Sequence, residues 1–177
     1  MSTRRLATEH VSADESPGLL LWQVTNRWQA AQRAALKPLG LTHVQFVLLA
    51  SLTWLESDGP VTQRRLADHA VTDPMMTSQV LRVLEQRSLI RRADHPDDKR
   101  AIAVTVTTAG AELANRANVA VEACDRAFFS RLGPAVGGFA AGGGANRLAN
   151  GSLISPAAWT GRAQPKPAAI TSAPRMA

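Results

Sequence analysis

Residues 74–87 hold the side chains with the most to offer chemically. Wound at 3.6 residues per turn, this stretch puts Thr77, Val80, Leu81 and Leu84 on one face and Met75, Ser78, Gln79, Arg82 and Gln86 on the other. The second set can hydrogen-bond to base edges or to phosphates, and a guanidinium such as that of Arg82 matches the major-groove edge of guanine with two parallel bonds. A polar outer face is also what any solvated helix carries, so this face decides nothing alone. Its surroundings add weight. Residues 62–70 read as a short preceding helix with Leu66, Ala67 and Ala70 turned inward, and its Thr62 and Arg64 join the candidate contacts. Further on, a charged tip carries Asp98 and Lys99 just before Arg100. An arginine held out on a loop suits a narrow, strongly negative groove, and Asp98 is spaced to fix it by an ion pair.

The elements that must position these residues can be read from caps and periods. Residues 19–36 lack internal Gly or Pro and predict a helix that ends near Lys37-Pro38, because the residue before proline resists the α conformation. Thr42-His43-Val44-Gln45 fits a capping box, and the apolar run that follows, from Phe46 to Leu55, is too wide for a surface helix and predicts a buried one. Asp73 suits an N-cap and Pro74 the first helical position. The period then changes. Residues 89–93 and 100–106 read as two strands of a β-hairpin, and Thr107 as the cap of a long helix over 108–132. Beyond that lie 8 of the chain's 12 glycines and 5 of its 10 prolines. Gly142-Gly143-Gly144 is expected to break any helix there, and weak order is expected after about Asn150.

Composition narrows the function classes. The chain has 177 residues, a formal net charge of +6 and an isoelectric point near 10.9. A basic balance favours a polyanionic partner. Yet residues 18–132 hold 14 Lys/Arg against 11 Asp/Glu, while the tail from Gly133 holds 4 basic residues and no acidic ones. Much of the excess therefore sits away from the candidate contacts. No apolar run reaches the roughly 18–20 residues of a membrane span, and no apolar signal core opens the chain. One cysteine, Cys124, excludes an intrachain disulfide and fits a reducing, cytoplasmic setting. His10, His43, His69 and His95 have no metal-ligand spacing. No phosphate loop, dinucleotide fingerprint or nucleophile motif is present, so no catalytic residues, no cofactor and no enzyme are expected.

Two helices joined by a tight turn, then a hairpin, is the order of a winged helix-turn-helix, mainly α with a small β wing. At this level the sequence resembles the multiple-antibiotic-resistance regulator (MarR) family. The likeness is carried by the run 80–92, by Asp94-His95-Pro96-Asp97-Asp98-Lys99-Arg100, and by Val106-Thr107-Thr108-Ala109-Gly110. It implies a homodimer on double-stranded DNA, with a recognition helix in the major groove, a wing in the minor groove, and N- and C-terminal helices that interlock with those of a second copy. The corresponding divisions are a flexible stretch over 1–17, a winged-helix domain over 18–132, and an atypical tail over 133–177. Within the domain, about 42–106 would bind DNA, and about 18–37 and 108–132 would form the dimer. Family members usually repress, and many respond to small aromatic or phenolic ligands. Trp22, Trp28, His43 and Phe46 could line such a pocket, although core packing accounts for them equally well.

Two departures from the family pattern stand out. Ser88 stands where the family usually has glycine, and the C-terminal apolar helix runs into three glycines. The tail's acid-free Ala/Gly/Pro composition resembles translation in a shifted frame. The competing expectation is therefore a helical dimer or interaction module whose atypical C-terminus impairs DNA binding.

Overall fold

The computed structural model describes residues 7–56, 61–95 and 100–149. Side-chain caps set where its helices begin. Ser16 Oγ accepts the N–H of Leu19 and Pro17 takes the first helical position, so α1 (Pro17–Leu36) starts two residues earlier than periodicity suggests. A 3-10 turn over Lys37–Leu39 and Gly40, at φ 64°, then swing the chain into α2 (His43–Leu55). There the expected capping box is complete: Gln45 N–H donates to Thr42 Oγ1, and Thr42 N–H donates to Gln45 Oε1.

A short strand the sequence did not announce follows, β1 (Val61–Thr62). Two residues are too few to show a period, and Thr62 was expected inside the helix instead. Thr62 serves both elements: it pairs with Ala103, and its hydroxyl caps α3 (Gln63–Ala70) by accepting the Arg65 N–H. After α4 (Pro74–Gln86) come β2 (Ile90–Asp94) and β3 (Ile102–Val106), then α5 (Thr108–Phe129) and α6 (Ala135–Ala149). The expected hairpin is thus two strands of a three-stranded antiparallel sheet in the order β1-β3-β2. Val104 lies opposite both Val61 and Arg92, which makes β3 the central strand, and Ala103 and Val104 are both buried where simple alternation would expose one.

The core confirms that α2 is central. Leu48, Leu49 and Leu52 are fully buried among Leu36 of α1, Leu66 of α3, Leu81 and Leu84 of α4, Ile90, Val104, and Leu113, Ala117 and Val121 of α5. Burying a leucine side chain contributes about 1.5–3 kcal/mol, so this cluster fixes the angle at which α3 and α4 stand on the scaffold.

The fold expected from sequence meets one correction at its end. α6 runs through Gly142, Gly143 and Gly144. Glycine costs about 1 kcal/mol per helical position relative to alanine, but unlike proline it neither clashes nor removes a donor, so it weakens a helix without forbidding it. α6 leaves the first compact unit, which ends at Gly138, and enters a second that begins at Phe139. The expectation about order after Asn150 lies outside the described residues, as do Asp98 and Lys99. No single described helix is long and apolar enough to cross a membrane.

Among the described residues, two non-glycine residues stand in left-handed backbone, Val71 at φ 51° and Ser88 at φ 57°. Each ends a helix. Thr72 N–H reaches back to Ala67 C=O, and Leu89 N–H to Leu84 C=O, the six-to-one bond that closes a helix through a left-handed residue. That conformation costs an L-residue roughly 1–2 kcal/mol, which glycine avoids at an unfolded-state entropy cost of about 0.5–1 kcal/mol. Ser88→Gly is expected to raise stability by about 0.5–1 kcal/mol in urea denaturation; a loss of stability would show that the serine hydroxyl contributes more than the strain costs.

Candidate nucleic-acid interface

α4 is held by both ends and by its inner face, which leaves its outer face open. At the start, Asp73 Oδ1 accepts the Met76 N–H at 2.9 Å. Thr77, fully buried, donates its hydroxyl to Asp73 C=O at 2.8 Å and so receives the Thr72 hydroxyl, also at 2.8 Å. These bonds lock the turn between α3 and α4. At the far end Arg87 Nη1 donates to Gly40 C=O at 2.9 Å, tying α4 to the turn between α1 and α2. Glu85 and Arg92 form an ion pair at 2.6 Å that joins α4 to β2, and the Arg92 guanidinium holds the Glu85 carboxyl below its usual pKa. A depressed carboxylate stabilises the fold above its unfolded pKa, near 4.5, and that contribution disappears as pH falls through the lower folded value.

With Thr77, Leu81 and Leu84 buried, the opposite side presents Met75, Gln79, Arg82 and Gln86 to solvent, and Ser78 sits half-buried at its margin. Met75 is 72% exposed. Arg82 is exposed and makes no ion pair or hydrogen bond with a described residue. Arg64 is exposed on α3, as is its neighbour Arg65, which the sequence reading did not single out. Thr62 is half-buried and its hydroxyl is engaged as a cap, which leaves it less to offer a ligand than expected. On the other flank the hairpin is closed by a bond from His95 N–H to Ala101 C=O, and Arg100 is exposed at its edge.

The hairpin is attached to α5 through backbone contact. Thr107 donates its hydroxyl to Ser88 and Leu89 C=O, accepts the Gly110 N–H, and bonds Leu89 C=O through its own N–H. A Cβ at Gly110 would lie 2.0 Å from the Leu89 carbonyl oxygen. Only glycine lets α5 approach the end of α4 this closely, which gives the Thr-x-x-Gly start its physical reason.

The four aromatic candidates separate. Trp28 and His43 meet edge to face, with ring centroids 5.0 Å apart. Phe46 is buried in the core, and Trp22, 67% exposed, lies six residues earlier on α1, about 9 Å along its axis. The partners the sequence did not reveal are polar. Trp28 Nε1 and Gln32 Nε2 both donate to Asp125 Oδ1, at 2.7 and 2.6 Å, across 97 and 93 residues of chain. Gln32 is fully buried and its Oε1 has no hydrogen-bond partner among the described residues. A buried acceptor left unpaired costs about 1–3 kcal/mol. Burial, and then Arg33, lower the His43 pKa, with Asp125 opposing. The folded protein then binds fewer protons than the unfolded chain just below pH 6.5, so stability is full above that value and falls as pH drops through it. Melting temperature is expected to be lower at pH 5.5 than at 7.5 for this reason, with a smaller difference in His43→Gln; an equal difference would remove His43 from the effect. Burial, then Asp125, push the Cys124 thiol up, which makes it a poor nucleophile. Among the described residues no group of three His, Cys, Asp or Glu could hold a metal ion.

Residues 41–102, from the turn before α2 to the first residue of β3, match the model of the MarR family. The chain is 45% identical over 116 residues to the HTH-type transcriptional regulator YdcH of Bacillus subtilis, an alignment covering 65% of this chain and 79% of that protein. The chain belongs to the MarR family. It is 37% identical over 121 residues to the HTH-type transcriptional repressor Rv2887 of Mycobacterium tuberculosis, covering 68% and 85% of the two chains. Among solved structures it resembles S. aureus MepR in a DNA complex, with a TM-score of 0.68 and 21% identity over 76% of this chain and 98% of that one, a likeness of fold. This MarR-family chain is a transcriptional regulator and not an enzyme, and in its winged helix-turn-helix α3 and α4 are the paired helices and β2-β3 the wing.

Proposed function

We propose that the protein is a cytoplasmic repressor that binds a pseudo-palindromic operator as a homodimer and releases it on binding a small aromatic or phenolic effector. The observation that carries the DNA reading is the outer face of α4, where Met75, Gln79, Arg82 and Gln86 are exposed on a helix pinned at both ends. A helix held this rigidly can enter the major groove without losing further freedom, while α3 braces it and Arg100 at the wing reaches for the minor groove. Asp98 and Lys99 belong to this reading by sequence alone. Apolar surface supports the dimer: Leu20, Leu21, Trp22 and Val24 on α1 and Val119 on α5 are 40–67% exposed, apolar area that a second copy would cover. Each protomer would then read one half-site, with centres about one helical turn, roughly 10 bp, apart. The Trp28–His43 pair beside Gln32 and Asp125 supports the effector, since aromatic walls with a few polar groups suit an aromatic ligand.

Gel shift on the protein's own upstream region, run beside light scattering, tests the proposal. A defined dimer with tight, salt-sensitive and sequence-selective binding is expected. A monomer or aggregate with only weak, unselective binding would contradict it and favour an interaction module with impaired DNA binding. Arg100→Ala is expected to weaken operator binding on the order of tenfold, and an unchanged Kd would remove the wing from the mechanism.

A further inference from the structure

The chemistry of the α1–α2–α5 junction constrains the kind of ligand it would accept. Gln32 Nε2 lies 2.6 Å from Asp125 Oδ1. The amide cannot be reversed, because two oxygens would then face each other at that distance, so the atom left without a partner is the acceptor Oε1. The indole N–H of Trp28 is spent on the same Asp125 oxygen. The indole N–H and one N–H of the Gln32 amide are thus used, and two acceptors are left over: Gln32 Oε1, and Asp125 Oδ2, neither of which takes a hydrogen bond from a described residue. The junction carries the Asp125 negative charge, and its half-buried His43 favours the neutral form, a shift caused by burial and then by Arg33, the exposed cation next to Gln32 in the chain. The Trp28 ring supplies a face that attracts cations.

We infer that this junction takes an aromatic ligand bearing a hydrogen-bond-donating cation, such as a primary ammonium, in preference to an aromatic carboxylate. The inference rests on the effector reading for there being a ligand here at all. An ammonium brings three N–H donors to two waiting oxygens and an opposite charge to Asp125. A carboxylate would bring two more acceptors and a like charge, leaving Gln32 Oε1 unpaired.

Titration calorimetry of the full chain with benzylamine and with benzoate, one ring with opposite charges, tests this, with gel shift on the upstream DNA run in parallel. Benzylamine is expected to bind at least tenfold more tightly than benzoate. Asp125→Asn, which keeps an acceptor for Trp28 and Gln32, is expected to abolish that preference, and Gln32→Met to weaken benzylamine several-fold. Equal or tighter binding of benzoate, no binding of benzylamine, or a preference that survives Asp125→Asn would overturn the inference. If benzoate alone binds and releases DNA, the effector reading stands and the donor chemistry falls. If benzylamine binds with the stated preference but neither compound changes DNA binding, the donor chemistry stands and the effector reading falls.

Discussion

Replacing Gly110 with alanine is expected to destabilise the protein by about 3 kcal/mol or more, at or beyond the upper end of the roughly 1–3 kcal/mol typical of overpacking. The new methyl would sit 2.0 Å from the Leu89 carbonyl oxygen and 2.9 Å from its carbon. Backbone cannot rotate aside as a long side chain can. Relief requires α5 to move off the end of α4, and that motion breaks the Thr107 bonds to Ser88 and Leu89 and disturbs the register of β2 and β3 that follows from them. Urea denaturation measures the loss. A change under about 1 kcal/mol would mean that the approach of α5 to Leu89 is soft, and that the wing is not positioned by it.

The second large effect concerns recognition. Arg82→Ala is expected to weaken operator binding by about 1–3 kcal/mol, roughly 5- to 150-fold, and to relax preference at one base position per half-site, while stability stays within about 0.5 kcal/mol of the parent. The stability expectation follows from exposure: Arg82 packs against nothing in the core and pairs with no described residue. The binding expectation follows from its place on the outer face, one turn beyond Gln79. Equal losses on operator and on random DNA would demote Arg82 to a phosphate contact.

What could be read from sequence was local. The Thr42–Gln45 capping box, the Asp73-Pro74 start and the wide apolar face of α2 depend on residues within one or two turns, and each stands as read. The inner face of α4 follows from its period alone, and the left-handed backbone at Ser88 agrees with the family's glycine there. What could not be read depends on chain far away. β1 is two residues long and exists because Val61 finds Val104. The Asp125 link to Trp28 and Gln32 spans more than 90 residues, so an aspartate in a long helix gave no sign of its distant partners. The glycine run at 142–144 departs from expectation for a different reason: the cost of glycine in a helix is graded and not prohibitive, and the run 135–149 is otherwise largely alanine and other helix-compatible residues.

Protection of guanine N7 from methylation across the operator tests the central claim most directly, because N7 lies in the major groove. If the outer face of α4 reads bases there, the parent protein shields guanines in two half-sites about one helical turn apart. Arg82→Ala then uncovers a guanine in each while the flanking backbone contacts persist. Binding that leaves every N7 open, or a pattern unchanged by Arg82→Ala, would contradict it.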